Sequence, residues 1–143
     1  MRFFLPPEYK KKKKFQKQRI NGYELKPHLL NLKVGTAGLK ALENGRITPR
    51  QLEATRRVIS RKLPRFGTIR FYVAPEIAIS KKPKEVRMGK GKGVIKIWVA
   101  KVKAGRLLLE IANLSYENAK EILNSAATKL PLKTLFLYNK NTV

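Results

Sequence analysis

The stretch from Thr48 to Pro64 leaves almost no choice of local structure. Thr48 can cap a helix, Pro49 suits its first position, and Gln51, three residues after Thr48, completes a capping box. Leu52, Thr55, Ile59 and Leu63 recur at three-to-four spacing and predict a buried stripe flanked by Ala54 and Val58, with Pro64 as the stop. Arg50, Arg57 and Arg61 fall on another face, joined at its edges by Arg56, Lys62 and Arg65, and Glu53 is the only acid between Arg50 and Arg65. A solvated helix face usually mixes signs. An arginine face of this kind fits phosphate, because the planar guanidinium can hold two phosphate oxygens at once.

Around this helix the chain predicts strands. Thr36 to Leu42 fits a short strand, and Asn44-Gly45 reads as a tight turn, since both residues tolerate positive φ. Thr68 to Val73 alternates Ile69, Phe71 and Val73 against Thr68, Arg70 and Tyr72, as a half-buried strand does. A turn at Ala74-Pro75-Glu76 leads to a short strand over Ile77 to Ile79. Val94 to Val102 is β-rich on both faces, and Ala104-Gly105 turns into Leu107 to Ile111, expected to pair antiparallel with the strand before it. Ser115 is expected to cap a second helix, with Glu117 and Glu121 near its positive end. Ala119, Ile122, Leu123, Ala126, Ala127 and Leu130 form its apolar face and Pro131 its end. Thr134 to Tyr138 reads as a last strand. The expected class is α+β: two helices packed on an antiparallel or mixed β-sheet, with residues 31–138 as one domain, 1–30 as a basic arm and 139–143 as a tail.

Between two of these strands lies Arg87-Met88-Gly89-Lys90-Gly91-Lys92-Gly93. Alternating glycines free the backbone to take positive φ or to approach another chain closely, while Arg87, Lys90 and Lys92 bring charge. A Walker loop would need Ser or Thr after the lysine and a helix beyond it, and a dinucleotide fingerprint starting at Gly89 would need glycine at position 94, which is Val. Both nucleotide readings fail. A basic finger suited to the shape of structured RNA remains, against the plainer alternative of a solvated hairpin tip.

Charge favours the finger. The 143 residues hold 33 Lys and Arg against 9 acids, a formal net charge of +24 and a pI near 10.7, far more than solubility requires. Self-repulsion on that scale calls for a polyanion, and nucleic acid is the expected partner. No apolar run approaches the ~20 residues of a membrane-spanning helix. The acids are all glutamates, Cys is absent and His28 stands alone, so thiolate chemistry, a Ser/His/Asp set and a cofactor or metal site are not expected, nor is an enzyme. Residues 1 to 20 concentrate Arg2, Lys10, Lys11, Lys12, Lys13, Lys14, Lys17 and Arg19 against Glu8, with Phe3, Phe4, Tyr9 and Phe15 interleaved. Five successive lysines repel one another too strongly for an isolated helix, so an extended arm is expected, tracking phosphates while its aromatics stack on bases. A disordered solubilising tail is the alternative. Pro6-Pro7-Glu8 and the low Ser and Arg content argue against a transit peptide.

Lys84 to Gly93, followed by Trp98-Val99-Ala100, resembles the signature of the large-subunit ribosomal protein L-sixteen family of bacteria and organelles. Gly38-Leu39-Lys40-Ala41, Gly45-Arg46-Ile47-Thr48, Arg50-Gln51-Leu52-Glu53-Ala54 with Arg56-Arg57, and Lys129-Leu130-Pro131-Leu132-Lys133-Thr134 follow the family's order, so the likeness spans roughly Lys14 to Tyr138. It implies a structural constituent of the large ribosomal subunit, bound to ribosomal RNA among neighbouring ribosomal proteins, with no homo-oligomer. It also implies that the residues from Arg87 to Gly93 contact ribosomal and transfer RNA near the peptidyl-transferase centre. Ribosomal RNA contacts would fall to Lys40, Arg46, Arg50, Arg56, Arg57, Arg61 and Arg65 and to the arm's Lys10 to Lys14, Lys17 and Arg19. Thr68, Arg70 and Asn113 depart from the family pattern, and Asn113 replaces a glycine whose left-handed conformation Asn can still adopt. By the same resemblance the family's basic N-terminal element would begin near Lys14-Phe15, and no cleaved presequence is expected. Lys, Asn and Ile richness points to an organelle-encoded protein, mitochondrial before plastid, with a bacterial cytoplasm as the other possibility. A free RNA-binding regulator or chaperone is the alternative function.

Overall fold

A computed structural model describes residues 31–139. The basic arm, with Lys10 to Lys14, Lys17, Arg19 and His28, therefore lies outside the described residues, as do the last four positions. The elements run β1 (Ala37–Ala41), β2 (Gly45–Ile47), α1 (Pro49–Lys62), β3 (Thr68–Phe71), β4 (Ile77–Ser80), β5 (Ile95–Val102), β6 (Leu107–Ala112), α2 (Tyr116–Ala127) and β7 (Thr134–Tyr138). This is the expected α+β class, with the strands divided between two antiparallel sheets: four strands in the order β3-β6-β1-β7 and three in the order β2-β5-β4.

That division overturns one expected pairing. β6 does not pair with β5: it lies between β1 and β3, with Leu109 opposite both Leu39 and Phe71, whereas β5 pairs with β2 and β4. The physical reason is burial. Leu107 to Ile111 is buried at every position, so the strand needs cover on both faces and neighbours on both sides, which only the centre of a sheet supplies. The turn that carries the chain from one sheet to the other is held by β1, since Gly105 donates to the Ala41 carbonyl at 2.7 Å and Ala41 donates to that of Arg106 at 2.9 Å. The Asn44-Gly45 turn is also corrected. Neither residue has positive φ; Gly45 opens β2, where a Cβ would collide with Leu132 Cδ2, and Asn44 Oδ1 accepts from the Ala104 amide at 2.8 Å.

The first helix forms as its sequence dictates. Gln51 N donates to Thr48 Oγ1 at 3.4 Å while Thr48 N donates to Gln51 Oε1 at 2.9 Å, Leu52, Thr55 and Ile59 are buried, and Leu63 is the C-cap. The second helix differs at both ends. Ser115 occupies the N-cap position without a side-chain hydrogen bond, and the helix stops at Ala127, with a turn through Thr128 to Leu130 before Pro131. Asn113, ahead of it, has φ 64°, the left-handed conformation expected there.

Two apolar clusters organise these parts. Ala37, Leu39, Leu109 and Ile111 of the larger sheet meet Ile59 of α1 and Ala119, Ile122, Leu123 and Ala126 of α2. Ala41, Ile47, Leu52, Val73, Ala100, Val102 and Leu108 form the second cluster, where the smaller sheet meets the start of α1. Successive side chains of a strand point to opposite faces, so the adjacent Leu108 and Leu109 serve different clusters.

Candidate nucleic-acid interface

β4 and β5 form a hairpin whose connection, from Lys81 to Val94, carries Lys81, Lys82, Lys84, Arg87, Lys90 and Lys92 against Glu85 alone. The neck is tight: Lys81 donates to the Val94 carbonyl at 3.1 Å. A Cβ on Gly93 would lie 2.8 Å from the Lys81 carbonyl carbon and oxygen and from the Lys82 amide, so the two stems meet only because position 93 lacks one. At the tip Gly89, Lys90 and Gly91 have φ of 98°, 51° and 79°. Three successive residues of positive φ are admissible because two are glycines. Each of those two would tolerate a side chain in space but not in conformation, since nothing lies within 4 Å of a built Cβ. The Lys82 ammonium donates to the Gly89 carbonyl and ties the tip back to its stem. Arg87, Lys90 and Lys92 are exposed, and Met88, 97% exposed, sets an apolar side chain among them. The structure thus brings together the loop residues singled out in the sequence.

The α1 face is more structured than its spacing suggests. Arg50, Arg57 and Arg61, and Arg65 just beyond the helix, are exposed. Arg56 instead holds Glu53 with both arms of its fork, Nε at 2.9 Å and Nη2 at 2.8 Å, and Arg57 Nε reaches the same carboxylate at 3.1 Å. The hydrogen bond from Arg56 is the largest cause that brings the Glu53 pKa down to about 2 and raises that of Arg56. Lys62 bridges to α2, its Nζ donating to Glu121 Oε1 at 2.7 Å and to Ser125 Oγ at 3.2 Å. The Lys62 bond in turn lowers the Glu121 pKa.

Because the folded Glu53 pKa lies below its ordinary value of 4.5, the ion pair contributes fully above pH 4.5 and its contribution is lost as pH falls towards 2. The group is partly solvated, so the effect is modest, about 0.5 kcal/mol. Urea denaturation between pH 5 and 2 should show that loss, and Glu53→Gln should lack this component. An unchanged slope in the variant would remove the pair from the stability of α1.

Lys40 and Arg46 stand apart from both groups. Lys40 is half-buried in β1, opposite Leu107 and Leu135. Arg46 pairs in register with Lys101, six residues along β5 from Ile95, which puts it roughly 20 Å from the hairpin neck. Two residues with defined work escaped the sequence reading. Arg106 donates to the Tyr72 carbonyl at 2.9 Å and to that of Lys101 at 3.3 Å, a clasp between the sheets, and burial lowers its pKa. Glu110, 1% exposed, accepts from Lys33 N at 2.5 Å, Val34 N at 3.3 Å, Gly35 N at 3.1 Å and Tyr72 Oη at 2.8 Å. Burial, and then this bond, raise the Tyr72 pKa. No group of three His, Cys, Asp or Glu able to hold a metal occurs among the described residues, and none of their helices is long and apolar enough to cross a membrane.

Residues 7–137 match the family model described as ribosomal protein L16p/L10e. The chain is 44% identical over 133 residues, 93% of its own length and 96% of the relative's, to large ribosomal subunit protein uL16 of Rhodopseudomonas palustris (strain HaA2). It is 47% identical over 130 residues, 89% and 93% of the two lengths, to the uL16 of Xanthobacter autotrophicus (strain ATCC BAA-1158 / Py2). It is 46% identical over 133 residues, 93% and 97%, to large ribosomal subunit protein uL16m of Prototheca wickerhamii.

Proposed function

Since the chain belongs to the ribosomal protein L16p/L10e family, we propose that it works in the large ribosomal subunit by binding ribosomal RNA and helping to position transfer RNA near the peptidyl-transferase region. As a ribosomal protein it is a structural component and not an enzyme, so peptide-bond chemistry belongs to the RNA and the protein positions and neutralises. The observation that carries the transfer RNA role is the hairpin: a narrow neck, a tip of positive φ and exposed cations at Arg87, Lys90 and Lys92. With no Cβ at alternate tip positions, such a loop can bring its backbone and cations close to an anionic surface. The exposed arginines of α1 and the arm's lysines serve ribosomal RNA, and the excess of cations in residues 1–30 and 50–65 supplies half of the chain's +24. We assign the protein to a mitochondrial ribosome on its Lys, Asn and Ile richness and its likeness to an organellar relative, although bacterial relatives are equally similar.

Mutation separates the two surfaces. Large subunits carrying Arg87→Ala should assemble normally and bind transfer RNA about tenfold more weakly, the effect of losing one charge-assisted hydrogen bond. Arg57→Ala combined with Arg61→Ala should instead reduce incorporation into subunits, measured by quantitative mass spectrometry of gradient fractions. Normal transfer RNA binding with Arg87→Ala would sink the role of the loop, and full incorporation of the double variant would sink that of the helix. Companion proteins in the same fractions identify the compartment. Recovery of the chain mainly at the top of the gradient would favour a free RNA-binding factor.

A further inference from the structure

Among the cations of the hairpin connection Lys82 alone is half-buried, whereas Lys81, Lys84, Arg87, Lys90 and Lys92 are exposed. Its ammonium donates to the Gly89 carbonyl, seven residues further along the chain. That carbonyl belongs to the peptide joining Gly89 to Lys90, whose φ values are 98° and 51°. Lys90 is thus the one residue with a side chain in a run of three at positive φ, a conformation that crowds its Cβ against the following carbonyl oxygen. Such a residue persists there only where its surroundings hold it. Packing does not supply the restraint, since a Cβ on Gly89 or on Gly91 would find no atom within 4 Å. The bond from Lys82 does.

The anchor of that bond is itself restricted. Pro83 confines the backbone of Lys82 to extended conformations, and the Val86 amide donates to the Pro83 carbonyl at 3.4 Å. The Lys82 amide lies against position 93, where a Cβ would come within 2.8 Å of it. The clasp therefore runs from the narrow neck of the hairpin to the first turn of its tip.

We propose that Lys82 is a positioning residue and not an RNA contact: by holding the Gly89 carbonyl it keeps Lys90 left-handed, so that the tip is formed before transfer RNA arrives. This rests on the reading of the hairpin as a transfer RNA contact. A tip formed in advance presents Arg87, Lys90 and Lys92 without the ordering cost that a loose glycine loop would meet on binding.

Two measurements test this, one on the isolated full-length chain and one on large subunits that contain it. In the isolated chain the amide order parameters of Gly89, Lys90 and Gly91 should be near about 0.85 and fall below about 0.6 in Lys82→Met, the values of rigid and of flexible backbone. Lys82→Arg, which keeps a donor, should stay near wild type. So should Lys84→Met, which removes an equal charge from an exposed position. In subunits, Lys82→Met should bind transfer RNA about tenfold more weakly if the formed tip is then present a tenth of the time. The slope of log affinity against log salt should not change, because no phosphate contact is lost, whereas a Lys82 that touched phosphate would reduce it by about 0.7 to 0.9. A reduced slope, or order parameters equal to those of wild type, would overturn the proposal. Loss of order with transfer RNA binding intact would also overturn it when Arg87→Ala weakens binding in the same assay. If Arg87→Ala is without effect as well, the transfer RNA reading fails instead, and the order parameters still decide whether Lys82 holds the tip.

Discussion

Leu123→Ala should destabilise the protein by about 3 kcal/mol, the range found for fully buried leucines whose cavity relaxes only partly. Leu123 is completely inaccessible and belongs to the cluster in which α2 meets Ile59 of α1 and Leu39, Leu109 and Ile111 of the larger sheet. Its neighbours are held in place by strands on one side and by a second helix on the other, so collapse into the vacated volume is limited. A domain of this size has roughly 5–15 kcal/mol of stability in total, and the loss is a large share of it. Leu135→Ala, on a residue 45% exposed in β7, should cost under about 1 kcal/mol. Urea denaturation at moderate salt, where the repulsion of a +24 chain is screened, compares the two directly. Similar losses at both positions would mean that the core does not lie between the helices and the larger sheet. Because α1 carries the exposed arginines and is tied to α2 by Ile59 packing and by Lys62, the variant should also incorporate into subunits less efficiently.

The parts that were legible from the sequence are those decided within a few residues. Thr48, Pro49 and Gln51 define the start of α1 through contacts three residues apart, and the observed box is the one their spacing implies. Asn113 takes the left-handed conformation its side chain tolerates. Arg56 could have been read more fully, since an acid three residues earlier lies on the same helix face, and Glu53 occupies that position. Pairing between strands was less legible. The short link from β5 to β6 suggests a hairpin, and only the burial of β6 along its whole length shows that it belongs in another sheet. Glu110 was opaque for the same reason. Its partners at residues 33–35 are some 75 positions away, and in a strand of leucines a lone glutamate gives no sign of which amides it will receive.

Gly93→Val should disable the hairpin while leaving both cores intact. At this position the objection to a side chain is space, since the Lys81 carbonyl and the Lys82 amide are backbone atoms and cannot rotate aside. The stems must separate, breaking the bond between Lys81 and Val94 and displacing Lys82, whose ammonium holds the Gly89 carbonyl. The cations of the tip are then presented from a wider, less ordered loop. If the hairpin positions transfer RNA, subunits containing this variant should bind it at least about tenfold more weakly, because only the fraction of loops in the narrow form remains competent. Gly91→Ala should be milder: its φ of 79° costs an L-residue about 1–2 kcal/mol, but its Cβ meets nothing. Gly91→Asn should lie nearer to wild type, as Asn visits that region more readily. Thermal stability of the isolated chain should change little in all three, since the loop packs against neither core. A loss of binding that is largest for Gly93→Val, smaller for Gly91→Ala and smallest for Gly91→Asn, at constant stability, ties function to the shape of the neck and tip. Equal activity of all three would reduce the hairpin to a carrier of charge, for which any exposed lysines would serve.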